Sequence, residues 1–342
     1  MTPTDFIQAH RDAVLIRAGA LNPNAPICHP QAAAVAVSAE PLLPALAKFC
    51  SDLADSRRGA GAAVRVKGSG FATPDFGNAL ADAVRTVTQA RMAAHMRHEA
   101  FCKLMPVADY KPQRFPMLAV GGDLEFLGES SEAPEAMVSD EAGALAGLGR
   151  YGRNVLISRR VLLNDDIGLI MATFENFGTA AARVEAKLAY TLIESNLVLS
   201  DGEAMFDAGH GNVLASVFGD VALGEAMRML RAMPDPFGEV LDHDPAVLVV
   251  EGALELHARR LVHEAGLDLE VVASSRLPNG RWYLLPNPEF APVVGLLRLA
   301  GSKSPVSIDA GRDDLGRDGT LIAVRANAAV VPLSRTAIKG GA

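Results

Sequence analysis

Residues 159–196 constrain this chain more than any other stretch: RRVLLNDDIGLIMATFENFGTAAARVEAKLAYTLIESN contains no proline and keeps one apolar period throughout. Ile170, Phe174, Phe177, Ala181, Val184, Leu188 and Leu192 recur at steps of three or four, which gathers them on one face of a helix. Glu175, Asn176, Thr179, Arg183, Glu185 and Lys187 read as the polar side. Asn164 is expected to cap the helix by accepting a hydrogen bond from a backbone N–H that has no helical partner. Asp165 and Asp166 then fall in the first turn, beside the positive end of the helix dipole. Unbroken, the helix is about 45 Å long at about 1.5 Å per residue. Gly178 marks a place to bend, because glycine inside a helix costs about 1 kcal/mol against alanine. Such a helix exceeds the usual length in globular domains and reads as a strut with a flat layer along its stripe. On this facing Leu188 is buried, and Leu188→Ala is expected to cost about 2–5 kcal/mol.

What surrounds a strut must bury it, and 342 residues with 49% hydrophobic content are ample for that. No run of 18 apolar residues occurs, so no transmembrane helix is expected. The opening residues MTPTDFIQAHRD lack the charged-then-apolar order of a signal peptide. A formal net charge of -8 argues against a surface that binds nucleic acid all round. Cys28, Cys50 and Cys102 are odd in number and widely spaced, as in free thiols of a reducing compartment.

Residues 1–75 are rich in alanine and proline, with short helices expected over 6–16 and 42–53 and linker-like turns between. They read as an arm. Residues 75–104 read as a helix burying Phe76, Leu80, Val84, Val87, Met92 and Met96. Residues 105–160 form an excursion of turn signals and short β-like runs at 115–120 and 154–158. After the strut come a helix over 221–233, a buried strand over 246–250, a helix over 251–265 and a strand over 267–273. A hairpin is expected over 276–285, with Asn279-Gly280 in a type I′ turn. An apolar run over 293–299, a polar loop over 309–320 and a final strand over 321–333 complete a mixed α+β order.

The motifs that suggest chemistry lack the surroundings chemistry needs. Gly147-Leu-Gly-Arg-Tyr-Gly152 has the GxGxxG spacing, but a β-like run follows it where a dinucleotide site requires a helix. His95, His98 and Cys102 share a helical face, yet a structural zinc site takes four ligands and no fourth lies nearby. His257 and His263 lack the HExxH spacing, and no GxSxG elbow exists. His210, in the turn Asp207-Ala-Gly-His-Gly-Asn212, has no partnered base and reads as structural. No catalytic, cofactor-binding or metal-binding residue is assigned.

An ordered series of motifs carries a resemblance instead. It comprises Tyr151-Gly152, Ile157-Ser158-Arg159, Asn164-Asp165-Asp166, Gly178-Thr-Ala-Ala-Ala-Arg, and Asp201-Gly202 followed by Phe206 and His210-Gly211-Asn212. Asp75-Phe76, Asp109-Tyr-Lys-Pro and Trp282-Tyr283-Leu284 extend it over residues 75–335, with Tyr110 standing where the pattern has Phe. The series resembles the Mu-like major head protein of tailed phages. That resemblance implies an α+β Hong Kong-97-like capsid fold. Its parts would be an N-terminal arm at 1–75, a helix at 76–104 leading to the loop, and an extended β loop at 105–160. A peripheral domain with the spine helix would take 161–205 and 306–342, and an axial domain 206–305.

The implied protein is a homo-oligomer of pentamers and hexamers closing an icosahedral head, with no cofactor and no enzymatic activity. Its implied partners are a scaffold, a separate maturation protease, portal and head-completion proteins, and double-stranded DNA held without sequence specificity. It would assemble in the host bacterial cytoplasm and reside in the virion. An encapsulin-like nanocompartment shell is the alternative, and a soluble oxidoreductase or hydrolase a more distant one. In the resembled fold, arms and loops lie over adjacent subunits. Residues 115–149 carry seven acids and no base, while residues 57–103 carry eight bases against three acids. Glu129, Glu132 and Glu135 are therefore expected to face Arg57, Arg58, Arg65 and Lys67 of a neighbouring subunit.

Overall fold

The computed structural model describes residues 2–38, 40–58, 74–121, 137–199, 202–234, 238, 240–301, 304–310 and 319–341. It divides into two compact units, the first made of Met1–His95, Arg150–Arg183 and Ser302–Asn327. Four helices come first: α1 (Pro3–Arg17), α2 (Ala32–Val37), α3 (Leu42–Arg58) and α4 (Pro74–Ala93). Thr2 and Asp5 close a capping box at the start of α1, each side chain meeting the other's backbone N–H, with Pro3 in the first turn. The short α5 (Arg159–Leu163) precedes α6 (Ile167–Ser195), whose residues 167–183 belong to this unit. Of the stretch 1–75, the helices expected over 6–16 and 42–53 form as the longer α1 and α3, α2 is added between them, and α1 packs against α2, α3 and α4.

The helix start differs from the expected one. Asn164 is the C-cap of α5, and the N–H of Ile170 donates to the carbonyl of Asp166. Asp165 takes a left-handed conformation with φ 55°. From there its carboxylate accepts from the N–H groups of Leu42 and Leu43 at 3.0 and 2.8 Å, capping α3 rather than α6. Arg17, at the end of α1, donates to the same carboxylate at 3.0 Å and to the carbonyls of Ala36, Ser38 and Glu40. Sequence spacing points a cap at the nearest helix, whereas this carboxylate finds its donors about 120 residues away.

Helix α6 runs 29 residues and is continuous through Gly178. A Cβ there would lie 2.4 Å from the Thr88 carbonyl and 3.1 Å from the Arg91 Cβ, so the glycine admits α4 at close range. Thr88, fully buried, donates from its hydroxyl to the carbonyls of Val84 and Phe174. Strands β4 (Gly149–Ser158), β10 (Val306–Ala310) and the first half of β11 (Gly319–Pro332) complete the unit, with β11 pairing to both others.

The second unit is Met96–Gly149, Val184–Gly301 and Ala328–Ala342. Helix α4 stops at Ala93, and a 3-10 turn at Arg97–Phe101 leads into β1 (Cys102–Val107), a strand where a helix was expected. Strand β1 runs parallel to β9 (Val294–Leu299), which pairs with the second half of β11. Strands β2 (Gln113–Gly121) and β3 (Met137–Ala146) form a separate antiparallel ribbon. Between the glycines of the GxGxxG motif the chain passes from β3 into β4, with no helix behind it.

The largest sheet of this unit contains β5 (Val213–Leu214), β12 (Ile338–Gly340), β8 (Trp282–Pro286), β6 (Pro245–Glu251) and β7 (Glu270–Ser274), in that order. It is buried on both faces. Leu248, Val250, Trp282 and Leu284 pack with α7 (Asp220–Arg231) and α8 (Glu255–Glu264). Val247, Val249, Tyr283 and Leu285 point the other way, to Ala189, Tyr190 and Ile193 of α6. The alternation follows from the strand period of two. The hairpin expected over 276–285 does not form, because β6 lies between β7 and β8. Its turn closes from the Arg281 N–H to the Pro278 carbonyl with Gly280 alone at positive φ, 75°, the type II pattern rather than type I′. Nor is β11 the last strand: β12 follows and inserts between β5 and β8.

Candidate functional site

The side chains expected to pack along α6 separate into two groups. Ile170, Phe174 and Leu192 are buried, while Phe177, Val184 and Leu188 are half-buried. Ile167, Met171, Gly178, Ala181, Ala182, Ala189, Tyr190 and Ile193 are buried as well, and Glu185 joins them at 1% exposure. Glu185 had been assigned to the polar side, so the buried face in the second unit is turned away from the expected stripe.

A buried carboxylate requires compensation, and the donors of an arginine and a histidine supply it. Arg298 from β9 grips Glu185 with Nε to Oε1 at 3.1 Å and Nη2 to Oε2 at 2.6 Å, the two-pronged geometry that matches a guanidinium to a carboxylate. His98, 1% exposed, places Nε2 3.1 Å from Oε2. Glu99 holds the outer side of Arg298 at 2.5 Å. Burial pushes the Glu185 carboxyl up, but the bonds from His98 and Arg298 outweigh it and hold the group below its ordinary value of 4.5. The Cys102 thiol, also buried and facing Glu185 and Glu99, is pushed far up and stays protonated. Both oxygens of Glu185 are engaged, Oε1 by Arg298 and Oε2 by Arg298 and His98. The cluster holds β9, α6 and the turn before β1 together.

The three side chains grouped as a metal candidate are dispersed by the end of α4. His95 is exposed, His98 serves Glu185, and Cys102 begins β1. Among the described residues no group of His, Cys, Asp and Glu could hold a metal ion. The three cysteines are free thiols.

The Asp207–Asn212 turn is organised by Asn212, which the sequence reading passed over for His210. Asn212 is fully buried, and its Nδ2 donates to the carbonyls of Met205 and Arg335 at 2.8 and 3.1 Å. Its Oδ1 accepts from the Asp207 N–H at 3.0 Å. Asn196, in the left-handed cap position of α6, brackets the Phe206 backbone in the same way. His210 Nε2 lies 3.3 Å from Arg335 Nη1 and 3.3 Å from Glu203 Oε2. An asparagine two residues after the histidine of a glycine-rich turn was the available signal, since a buried amide can satisfy donors and acceptors at once.

Glu129, Glu132, Glu135, Arg65 and Lys67 lie outside the described residues, as do the side chains of Arg57 and Arg58. Several large apolar side chains stand exposed, including Val217 at 86%, Val221 at 80% and Phe290 at 87% in the second unit. Val37 at 87% and Leu169 at 59% do so in the first. No helix among the described residues is long and apolar enough to cross a membrane.

A family model described as phage capsid protein matches residues 143–339. Among solved structures, the capsid of the cyanophage P-SCSP1u is similar at 11% identity over 71% of this chain and 87% of that one, with a TM-score of 0.46. The procapsid of bacteriophage JBD30 is similar at 15% identity over 77% and 75%, with a TM-score of 0.43. The holo-SrpI encapsulin complex from Synechococcus elongatus PCC 7942 is similar at 12% identity over 84% and 94%, with a TM-score of 0.42. No curated protein sequence matches.

Proposed function

The chain belongs to the phage capsid protein family, and on that premise we propose that it is the subunit from which an icosahedral phage head is built around double-stranded DNA. The carrying observation is the family match over 143–339, which takes in α6, all but the last residue of the doubly buried sheet, and Glu185 with Arg298. It is a structural shell protein that self-assembles, and it resides in the virion capsid. Its α+β fold follows the Hong Kong-97-like plan implied by the resemblance in sequence.

In this reading residues 1–75 act as an arm, 105–160 as an extended loop, 206–305 as the axial domain, and 161–205 with 306–342 as the peripheral domain. Pentamers and hexamers assemble in the bacterial cytoplasm on a scaffold. A separate protease matures the shell, and portal and head-completion proteins finish it. The chain acts as a structural protein, a reading supported by the family match and by the engagement of the buried Glu185 with Arg298 and His98. Acidic residues Glu129, Glu132 and Glu135 pair with Arg57, Arg58, Arg65 and Lys67 of a neighbour, steering association and setting register.

Expression with its scaffold, followed by electron microscopy and identification of the particle contents, tests this. Closed shells holding DNA are expected. A chain that stays monomeric under every condition, or shells holding an enzyme cargo and no DNA, would overturn it. Light scattering against salt tests the charge pairing, which predicts slower assembly as salt rises and a weaker dependence after Glu129, Glu132 and Glu135 are neutralised.

A further inference from the structure

Strand β4 differs from every other strand of the first unit in its exposure. Residues 150–154 are all exposed, on both faces, and among the described residues β4 pairs with β11 alone. It carries Arg150 and Arg153, and α5 continues directly with Arg159 and Arg160, all four exposed. Between Gly143 and Asn164 there is no acidic residue, although the seven acids of 115–149 lie just before.

The four guanidinium groups are also gathered within eleven residues of chain. Exposed Arg228, Arg231 and Arg259 and half-buried Arg85 and Arg325 each hold a carboxylate within 3.1 Å. Arg150, Arg153, Arg159 and Arg160 hold none among the described residues. Like charges collected without counter-ions raise a local positive potential on a chain whose net charge is -8, and they select an anionic partner.

From the reading of the protein as a DNA-enclosing shell, we propose that the ridge formed by β4 and α5 is where each subunit holds the phosphodiester backbone of packaged double-stranded DNA. Guanidinium suits phosphate because its planar donors meet two oxygens at once. Arg150 to Arg159 spans about 30 Å at about 3.3 Å per residue, close to the roughly 34 Å helical repeat of a duplex. Arg150 and Arg153 sit three positions apart on a strand and so point to opposite faces, which lets the free edge of β4 lie along a chain of phosphates on either side. Contacts of this kind position a duplex without reading its bases, so packaging by this surface is indifferent to sequence.

The test titrates unassembled full-length subunits with a short random-sequence duplex at several salt concentrations. Each phosphate contact contributes about −0.9 to the slope of log K against log salt, so replacing all four arginines with glutamine should flatten that slope by about 3 to 4. A control carrying Arg228→Gln, Arg231→Gln, Arg259→Gln and Arg325→Gln loses the same charge from paired positions and should keep nearly the wild-type slope. An unchanged slope in the ridge variant, or an equal loss in the control, overturns the proposal. So does a folded ridge variant that no longer assembles, because the ridge would then face another subunit. The particle contents separate the two levels: wild-type shells full of DNA beside an unchanged slope sink only the ridge, whereas shells without DNA sink the enclosing reading itself.

Discussion

The two halves of α6 solve the same packing problem by different means. In the first unit the helix buries Ile170, Met171, Phe174, Ala181 and Ala182, and a glycine at 178 lets α4 approach. In the second unit it buries Ala189, Tyr190, Leu192 and Ile193 beside a carboxylate, Glu185, clasped by Arg298 and His98. The first half is held by area and volume, which tolerate any side chain of the right size. The second half depends on particular partners, because a buried charge is stable only while its counter-charges remain.

The largest expected effects attack both halves and then separate them. Phe174→Ala should cost about 3–5 kcal/mol through lost transfer energy and a cavity. Arg298→Met should cost about 3–5 kcal/mol by leaving Glu185 buried without its main cation. Chemical denaturation would register both. The difference lies in rescue: replacing His98, Glu185 and Arg298 together with apolar side chains of similar volume should restore stability or exceed the wild type by about 1–4 kcal/mol. If the triple variant is as unstable as Arg298→Met alone, the cluster contributes more than compensation of its own charges.

Gly178→Ala comes next. Its Cβ would press on the Thr88 backbone carbonyl, which cannot rotate away, so α4 and α6 must separate at a cost of about 1–3 kcal/mol. A gain in stability, as helix propensity alone predicts, would return Gly178 to the role of a bend.

Acid sharpens the comparison further. Glu185 has a folded pKa below its unfolded value of 4.5, so its contribution is present above 4.5 and is lost as pH falls through the folded value. Glu185→Gln should therefore flatten the dependence of stability on pH below 4.5, while Phe174→Ala should leave that dependence as in the wild type. Thermal melts across this range would show parallel curves for the second variant and a flatter one for the first.

The smallest effect is expected at Leu188. The apolar period alone assigns it a cost of about 2–5 kcal/mol on truncation. It is half-buried beside the turned face, so Leu188→Ala should cost about 1 kcal/mol, clearly less than Phe174→Ala. Equal losses at the two positions would restore the expected stripe.

Much of this molecule was legible in its residues. The length and position of α6, the helix α7, the buried strand β6 and the strands β9 and β11 follow from local periodicity, which is a property of neighbouring residues. The motif order also pointed to a phage capsid protein, and the family match bears that out at this coarser level. Other features depended on partners far away in the chain. Asn164 and Asp165 looked like one helix start, but Asp165 caps α3 because the Leu42 and Leu43 N–H groups come to it in space. A period places Glu185 on a face without revealing that Arg298 waits there, 113 residues on. The insertion of β12 between β5 and β8, and of β6 between β7 and β8, likewise belongs to sheet order, which hydrogen bonds between distant strands decide. Neighbouring residues by themselves determined the periods of α6, α7, β6, β9 and β11; the tertiary structure alone decided the sheet order and which charges are buried, because a charge is buried only where its counter-ion arrives.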